Sequence, residues 1–229
     1  MSKVLWKGKD VLRIVKGHGP SDWNAYGISI DTRTLRKGDI FFALAGPNYD
    51  GHQFINEAIK KGACAVVSNA PVLNHEKKVI VVNDVVKALI ALGKSSRNRN
   101  KGKIIAVTGS SGKTTVKEML ALSLSDSGKI HYSQSSYNNK IGVSLSLARM
   151  PSDTDFSIFE VGMNNYGEIS YLSKMIKPDI GLINNAGSAH IKYFKSKKEI
   201  EKEKLELIHG LNSGGSMVLN EDISINKSI

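Results

Sequence analysis

One cysteine, five prolines and an aromatic content of 7% are what this 229-residue chain has least of. Cys64 has no second thiol to pair with, so no internal disulfide holds the fold, which must rest on a packed core. It lies in the apolar run Ala63-Cys64-Ala65-Val66-Val67, where a small buried core residue is expected rather than a nucleophile. No stretch reaches the roughly 20 apolar residues that span a bilayer. Met1-Ser2-Lys3-Val4-Leu5-Trp6-Lys7 has no apolar leader core. These absences point to a soluble protein of the cytoplasm. Acidic residues are also scarce, 21 against 32 Lys and Arg, giving a net charge of +11. That balance suits an anionic partner, a nucleic acid or a phosphorylated small molecule, and it equally suits a lysine-rich solvated surface.

What is present is a repeating apolar pattern, without low-complexity tracts or internal repeats. Residues 1–100 read as a small α/β domain. Short strands are expected over Tyr26–Asp31, Asp39–Leu44, Ala63–Val67 and Val79–Val82. A helix containing Phe54, Ala58 and Ile59 stops at Gly62, and another capped by Asp84 carries Val86, Leu89, Ile90 and Leu92. The basic stretch from Lys94 to Lys103 lacks hydrophobic periodicity and reads as a helix end fraying into a linker. A nucleic-acid contact there is disfavoured, because no aromatic residues interleave with the charges. Residues 101–229 alternate strand and helix: strands at Ile104–Thr108, Lys129–Tyr132, Phe156–Val161, Asp179–Asn184 and Ser216–Leu219, helices over Lys113–Leu124, Ile141–Arg149, Glu168–Ile176 and Lys197–Leu211. Such alternation specifies a parallel sheet flanked by helices, here a P-loop NTPase-like domain. The last strand is followed only by the polar tail Asn220–Ile229, so this domain reads as incomplete at its C-terminal end.

Four features carry chemistry. Gly109-Ser110-Ser111-Gly112-Lys113-Thr114-Thr115 joins a buried strand to a helix, the context of a phosphate-binding loop. Its glycines bring backbone N–H groups onto phosphate oxygens, the helix offers its positive N-terminus, Lys113 neutralises outer phosphates and the Thr114 hydroxyl ligates Mg²⁺. Val107 stands where the general pattern has its first glycine. Glu160 ends an otherwise apolar strand at the sheet edge where the loop emerges. It reads as a ligand of phosphate-bound metal, or as a carboxylate facing solvent or paired with a lysine. His190 follows the strand ending at Asn184 and falls at the same edge, as a site residue or an ordinary surface histidine. Lys204 lies within the stripe Ile200, Leu207, Ile208, Leu211, so it either snorkels its charge outward or has a specific role in a site.

Several ordered motifs together resemble the Mur ligase family, over nearly the whole chain to about Glu221. They are Asp31-Thr32-Arg33-Thr34-Leu35-Arg36-Lys37-Gly38-Asp39-Ile40-Phe41-Phe42-Ala43-Leu44, Asp50-Gly51-His52, the Gly109–Thr115 loop, Asn138-Asn139-Lys140-Ile141-Gly142-Val143, the run from Glu160 to Ile169, and Ala189-His190. The asparagine pair and the Glu160 run are most similar to the branch joining D-alanyl-D-alanine to UDP-N-acetylmuramoyl-tripeptide. The resemblance implies an ATP-dependent carbon–nitrogen ligase of peptidoglycan precursor synthesis, acting through an acyl phosphate; the residue patterns give no reason to expect nucleic acid or membrane as partner. It implies ATP bound by Gly109 to Thr115, Mg²⁺ held by Thr114 and Glu160, and a second Mg²⁺ on His190. Lys113, His190 and Lys204 become the catalytic set, with Lys204 as a carbamylated metal ligand. Asp31, Thr32, Arg33, Asn48 and His52 would lie by the UDP-sugar, and Asn138 and Asn139 would line the interdomain cleft. Lys192 departs from the family's usual Glu. The family's third, C-terminal ligase domain is absent from the chain, so the expectation is an N-terminal portion, whose missing part a separate chain would supply. The alternative is an inactive truncated module that binds nucleotide or UDP-sugar without turnover.

Overall fold

A computed structural model describes residues 3–47, 49–187, 194 and 196–223. The chain divides into two compact units, residues 1–96 with Leu147–Arg149, and residues 97–146 with Met150–Ile229.

In the first unit, β1 (Trp6–Lys7) leads into α1 (Gly8–Val15), and β2 (Asn24–Ala25) returns antiparallel to β1. The sequence reading did not include α1, although its buried residues Gly8, Val11 and Val15 follow helical spacing. Next come β3 (Gly27–Ser29), β4 (Asp39–Phe42), the short antiparallel pair β5 (Ala45–Gly46) and β6 (Tyr49–Asp50), α2 (Ile55–Lys60), β7 (Ala65–Ser68), β8 (Val79–Val81) and most of α3 (Val85–Arg99). Strands β3, β4, β7 and β8 form an all-parallel sheet in that order. Ile40, Phe41, Phe42 and Ala43 are fully buried, as expected for a strand covered on both faces. Gly62 closes α2 at φ +91°, donating its N–H to the Ile59 carbonyl, a conformation costly for other residues. Cys64 is only partly buried, unlike Ala63, Ala65, Val66 and Val67 around it.

The division between the two units falls within the Lys94–Lys103 stretch, but the expected fraying there is corrected. α3 stays helical to Arg99, and Ser96 and Asn100 are buried. The polar groups are used internally: Arg97 donates to the carbonyls of Ile176 and Lys177, each at 2.7 Å, and Asn100 Nδ2 donates to Thr154 O at 3.0 Å. Carbonyls brought close by tertiary structure, not hydrophobic periodicity, stabilise this end of the helix.

The second unit contains β9 (Lys103–Thr108), α4 (Lys113–Ser123), β10 (Ile130–Tyr132), most of α5 (Lys140–Ala148), β11 (Phe156–Glu160), α6 (Glu168–Ile176), β12 (Ile180–Ile183), α7 (Lys197–Leu205) and β13 (Ser216–Leu219). Its sheet runs β10-β11-β9-β12-β13, and every pair is parallel, as the strand–helix alternation predicts. Ile105, Val107 and Ile158 pack with Ala121, Val116 and Leu120 of α4, which fixes the helix across the sheet. The helix expected over Lys197–Leu211 ends at Leu205 and tightens into a 3₁₀ turn, Glu206–Gly210. There Gly210 lies against the Ser173 backbone, and Ser173 Oγ donates to Leu207 O at 2.5 Å. Only a residue without a side chain allows that approach. Beyond β13, Ile223 is buried, and residues 224–229 of the polar tail lie outside the described residues. Among the described residues, no helix is long and apolar enough to cross a membrane.

Candidate functional site

β9 is the middle strand of its sheet, with β11 on one side and β12 on the other. All three run parallel, so their C-terminal ends, at Thr108, Glu160 and Ile183, open on one edge. The Gly109–Thr115 loop leaves β9 there and enters α4. Gly112 is the N-cap at φ +73°, and an added Cβ would lie 2.7 Å from Asn184 Nδ2. Asn185 braces the first half of the loop. Its Oδ1 accepts from the N–H groups of Ser110 (2.9 Å) and Ser111 (3.0 Å), and its Nδ2 donates to Ser111 O (3.1 Å). Asn184 Nδ2 donates to the same carbonyl at 3.0 Å. Ser111, Gly112 and Thr115 are solvent-exposed, leaving the N-terminal turn of α4 open to an anion.

Glu160 is 1% exposed at the end of β11. Its Oε2 accepts from Thr114 Oγ1 at 2.8 Å and its Oε1 from Asn138 Nδ2 at 2.7 Å. The carboxylate is therefore neither solvated nor paired with a lysine; it is joined to the first turn after the phosphate loop. Mg²⁺ prefers oxygen ligands at about 2.0–2.1 Å in an octahedron, which puts adjacent ligand oxygens about 2.9 Å apart. The Thr114 hydroxyl and the Glu160 carboxylate are both oxygen donors and lie side by side, joined by an ordinary hydrogen bond, so the chemistry of the donor set fits a divalent cation. Among the described residues no group of three or more His, Cys, Asp and Glu that could hold a metal ion gathers.

Two lysines complete it. Lys113 Nζ donates to Gly109 O at 2.8 Å, folding back on its own loop. Burial lowers its pKa, while the Glu160 carboxylate pulls the other way. Lys204, on α7, is 1% exposed, so it does not snorkel. Burial lowers its pKa to about 8, helped by the Lys113 ammonium and opposed by Glu203. These mutual effects put Lys204, Lys113 and Glu160 in one electrostatic neighbourhood. Glu203, beside Lys204, is itself 3% exposed, and burial raises its pKa.

Asn139 serves a local purpose, accepting from the Gly142 N–H at 2.9 Å at the start of α5. In the first unit, Asp31 is gripped by Arg33, whose Nε and Nη2 lie 3.0 and 2.6 Å from its oxygens, and this lowers the Asp31 pKa. Lys61 Nζ donates to Thr32 O at 2.9 Å. His52 Nδ1 pairs with Asp50 at 2.6 Å, and its Nε2 is buried without a partner. Asn48, His190 and Lys192 lie outside the described residues. Asn184, Asn185, Ser133 and Lys117 had no place in the sequence reading. The adjacent asparagines at a strand end were the one signal that pointed to the first two.

The fold and this corner define a P-loop α/β domain, with a glycine-rich strand-to-helix turn at the C-terminal edge of a parallel sheet. Residues 107–229 match the Mur ligase middle domain and residues 24–111 the Mur ligase family catalytic domain. The chain belongs to the Mur ligase family. It is 37% identical to the UDP-N-acetylmuramoyl-tripeptide–D-alanyl-D-alanine ligase of Rickettsia prowazekii over 218 residues, covering 95% of this chain and 48% of the relative. It is 42% identical to the ligase of the same name from Synechocystis over 197 residues, covering 85% and 43%. Among solved structures, MurF from Acinetobacter baumannii superposes with a TM-score of 0.84 at 30% identity, over 95% of this chain and 49% of that one. MurF from Thermotoga maritima, in complex with ADP, superposes with a TM-score of 0.73 at 30% identity, over 86% and 46%. The chain thus spans about half the length of the curated relatives it matches.

Proposed function

We propose that this chain forms the nucleotide- and UDP-sugar-binding part of an ATP-dependent amide ligase joining D-alanyl-D-alanine to UDP-N-acetylmuramoyl-tripeptide in the cytoplasm. The observation that carries this reading is the hydrogen bond from Thr114 of the phosphate loop to the buried carboxylate of Glu160. The names of the relatives supply the substrates. In this reaction the γ-phosphoryl group of ATP passes to the terminal carboxylate of the tripeptide, giving an acyl phosphate and ADP. The dipeptide amine then attacks the acyl carbon and phosphate leaves.

Backbone N–H groups from Gly112 to Thr115 bind the phosphate oxygens, and Lys113 leaves the Gly109 carbonyl to meet the charge growing on the transferred group. Thr114 and Glu160 would hold Mg²⁺, which when bound would draw off phosphate charge. His190 would be the residue to hold a second Mg²⁺, as the family resemblance implies. Lys204, with its lowered pKa, has an appreciable neutral fraction near pH 7.5. Its free amine adds to CO₂ and loses a proton, turning a buried cation into an anionic ligand. Asp31, Thr32, Arg33, Asn48 and His52 would lie by the UDP-sugar. Asn138 positions Glu160, and Asn139 shapes the adjoining substrate wall.

Calorimetric titration with ADP, Mg²⁺ and UDP-N-acetylmuramoyl-tripeptide tests binding by the 229-residue chain. Both nucleotide and UDP-sugar should bind, and Lys113→Ala should weaken nucleotide binding by about tenfold or more while leaving the UDP-sugar unaffected. Undiminished ADP affinity in Lys113→Ala removes the nucleotide assignment.

A further inference from the structure

Lys117 is among the largest fully buried side chains of the molecule, and none of the proposed ligand contacts uses it. It sits on α4, one turn beyond Thr114. Its Nζ donates to Ser133 O at 2.7 Å and to Ser135 O at 3.0 Å, lies 3.2 Å from Glu118 Oε1 and is 5.9 Å from the centre of the Tyr132 ring. Taking an ammonium out of water costs several kcal/mol unless partners replace the water, and here two carbonyls and a carboxylate do so. A methionine would fill similar space without that cost, so burial alone does not account for a lysine.

The segment it grips is conformationally costly. Ser135 has φ +48°, a left-handed conformation disfavoured by roughly 1–2 kcal/mol for a residue with a side chain. The same segment holds Glu160 at two points. Ser133 Oγ accepts from the Glu160 N–H at 3.2 Å, and Asn138 Nδ2 donates to Glu160 Oε1 at 2.7 Å. Asn138 O also accepts from the Gly162 N–H at 2.9 Å, and no room for a Cβ remains between Gly162 and the Asn138 side chain.

We infer that Lys117 is a positioning residue for the cation site. One end of its helix carries Thr114, and its ammonium pins the Ser133–Asn138 segment that aims Glu160, so it sets the spacing of the two cation ligands. The inference rests on the reading of Thr114 and Glu160 as a Mg²⁺ pair, and adds a residue that never touches the ion. Supporting groups of this kind change metal affinity roughly 10- to 100-fold when removed.

The test titrates Mg²⁺ into ADP-saturated chain by calorimetry, beside ADP alone without metal. In Lys117→Met the Mg²⁺ concentration for half-maximal tightening should rise roughly 10- to 100-fold, with metal-free ADP affinity unchanged. Amides of residues 133–138 should exchange faster with deuterium, and adding Asn138→Ala should bring little further loss. Should Lys117→Met fail to fold, Lys117→Gln keeps a donor on a shorter arm and should show a smaller loss of the same kind. Unchanged Mg²⁺ dependence in a folded variant overturns the inference, as does an equal fall in metal-free ADP affinity. A wild-type chain that binds ADP without any Mg²⁺ dependence sinks the cation-site reading and this inference with it.

Discussion

Lys204→Met in CO₂-depleted buffer isolates the energetic cost of the buried ammonium. Lys204 is 1% exposed, and burial lowers its pKa from 10.5 to about 8. Each tenfold change in proton affinity corresponds to about 1.4 kcal/mol, so keeping the charge in the folded chain costs about 3 kcal/mol at pH 7. The sign follows from the depressed value. Below pH 8 the lysine is charged in both folded and unfolded chains, and the folded state bears the full penalty. Between about pH 8 and 10.5 the unfolded chain holds more protons, so wild-type stability rises with pH. Methionine has similar volume and no charge. It should therefore stabilise the second unit by up to about 3 kcal/mol at pH 7, falling to about 1.4 kcal/mol at pH 9.5. Urea unfolding of both proteins across that range, followed by a probe in the second unit, measures the difference. A stability difference that stays flat with pH, or a variant less stable than wild type at pH 7, refutes the reasoning. Bicarbonate should stabilise wild type and leave Lys204→Met unaffected.

Gly210→Ala should destabilise the second unit by about 3 kcal/mol or more, because the new Cβ would fall 2.1 Å from the Ser173 carbonyl carbon between two backbones that cannot yield; a denaturation midpoint equal to wild type counts against the packing described. Burial pushes the Cys64 thiol up to about 11 from an ordinary 9.0. At pH 8 its thiolate fraction is then about 100-fold below that of a free thiol, and disulfide-reagent labelling should slow by a similar factor, recovering in urea. Labelling of folded chain at the free-thiol rate contradicts that burial.

The outline of the fold was present in the spacing of apolar residues. Ile104 to Val107, Phe156 to Phe159 and Ala65 to Val67 are short apolar runs bounded by turn residues, and each became a buried parallel strand. The phosphate loop was equally legible, since Gly109 and Gly112 flank a strand-to-helix turn with Lys113 and Thr114 at its exit. Glu160 stood out because a carboxylate among apolar neighbours needs a reason. Failures came where long-range partners decide: the polar end of α3 stayed helical because Arg97 found backbone carbonyls 79 and 80 residues away.

By itself, then, the sequence determined which segments are buried, their parallel arrangement, and the residue types gathered at one sheet edge, because these follow from local spacing and chain connectivity. Only the tertiary structure decided that Lys204 is enclosed rather than snorkelled, that Asn184 and Asn185 brace the phosphate loop, and that Lys117 grips the segment aiming Glu160. A buried charge or a carbonyl acceptor acquires its role from groups distant in sequence. Hydrophobic spacing carries no record of where those groups meet.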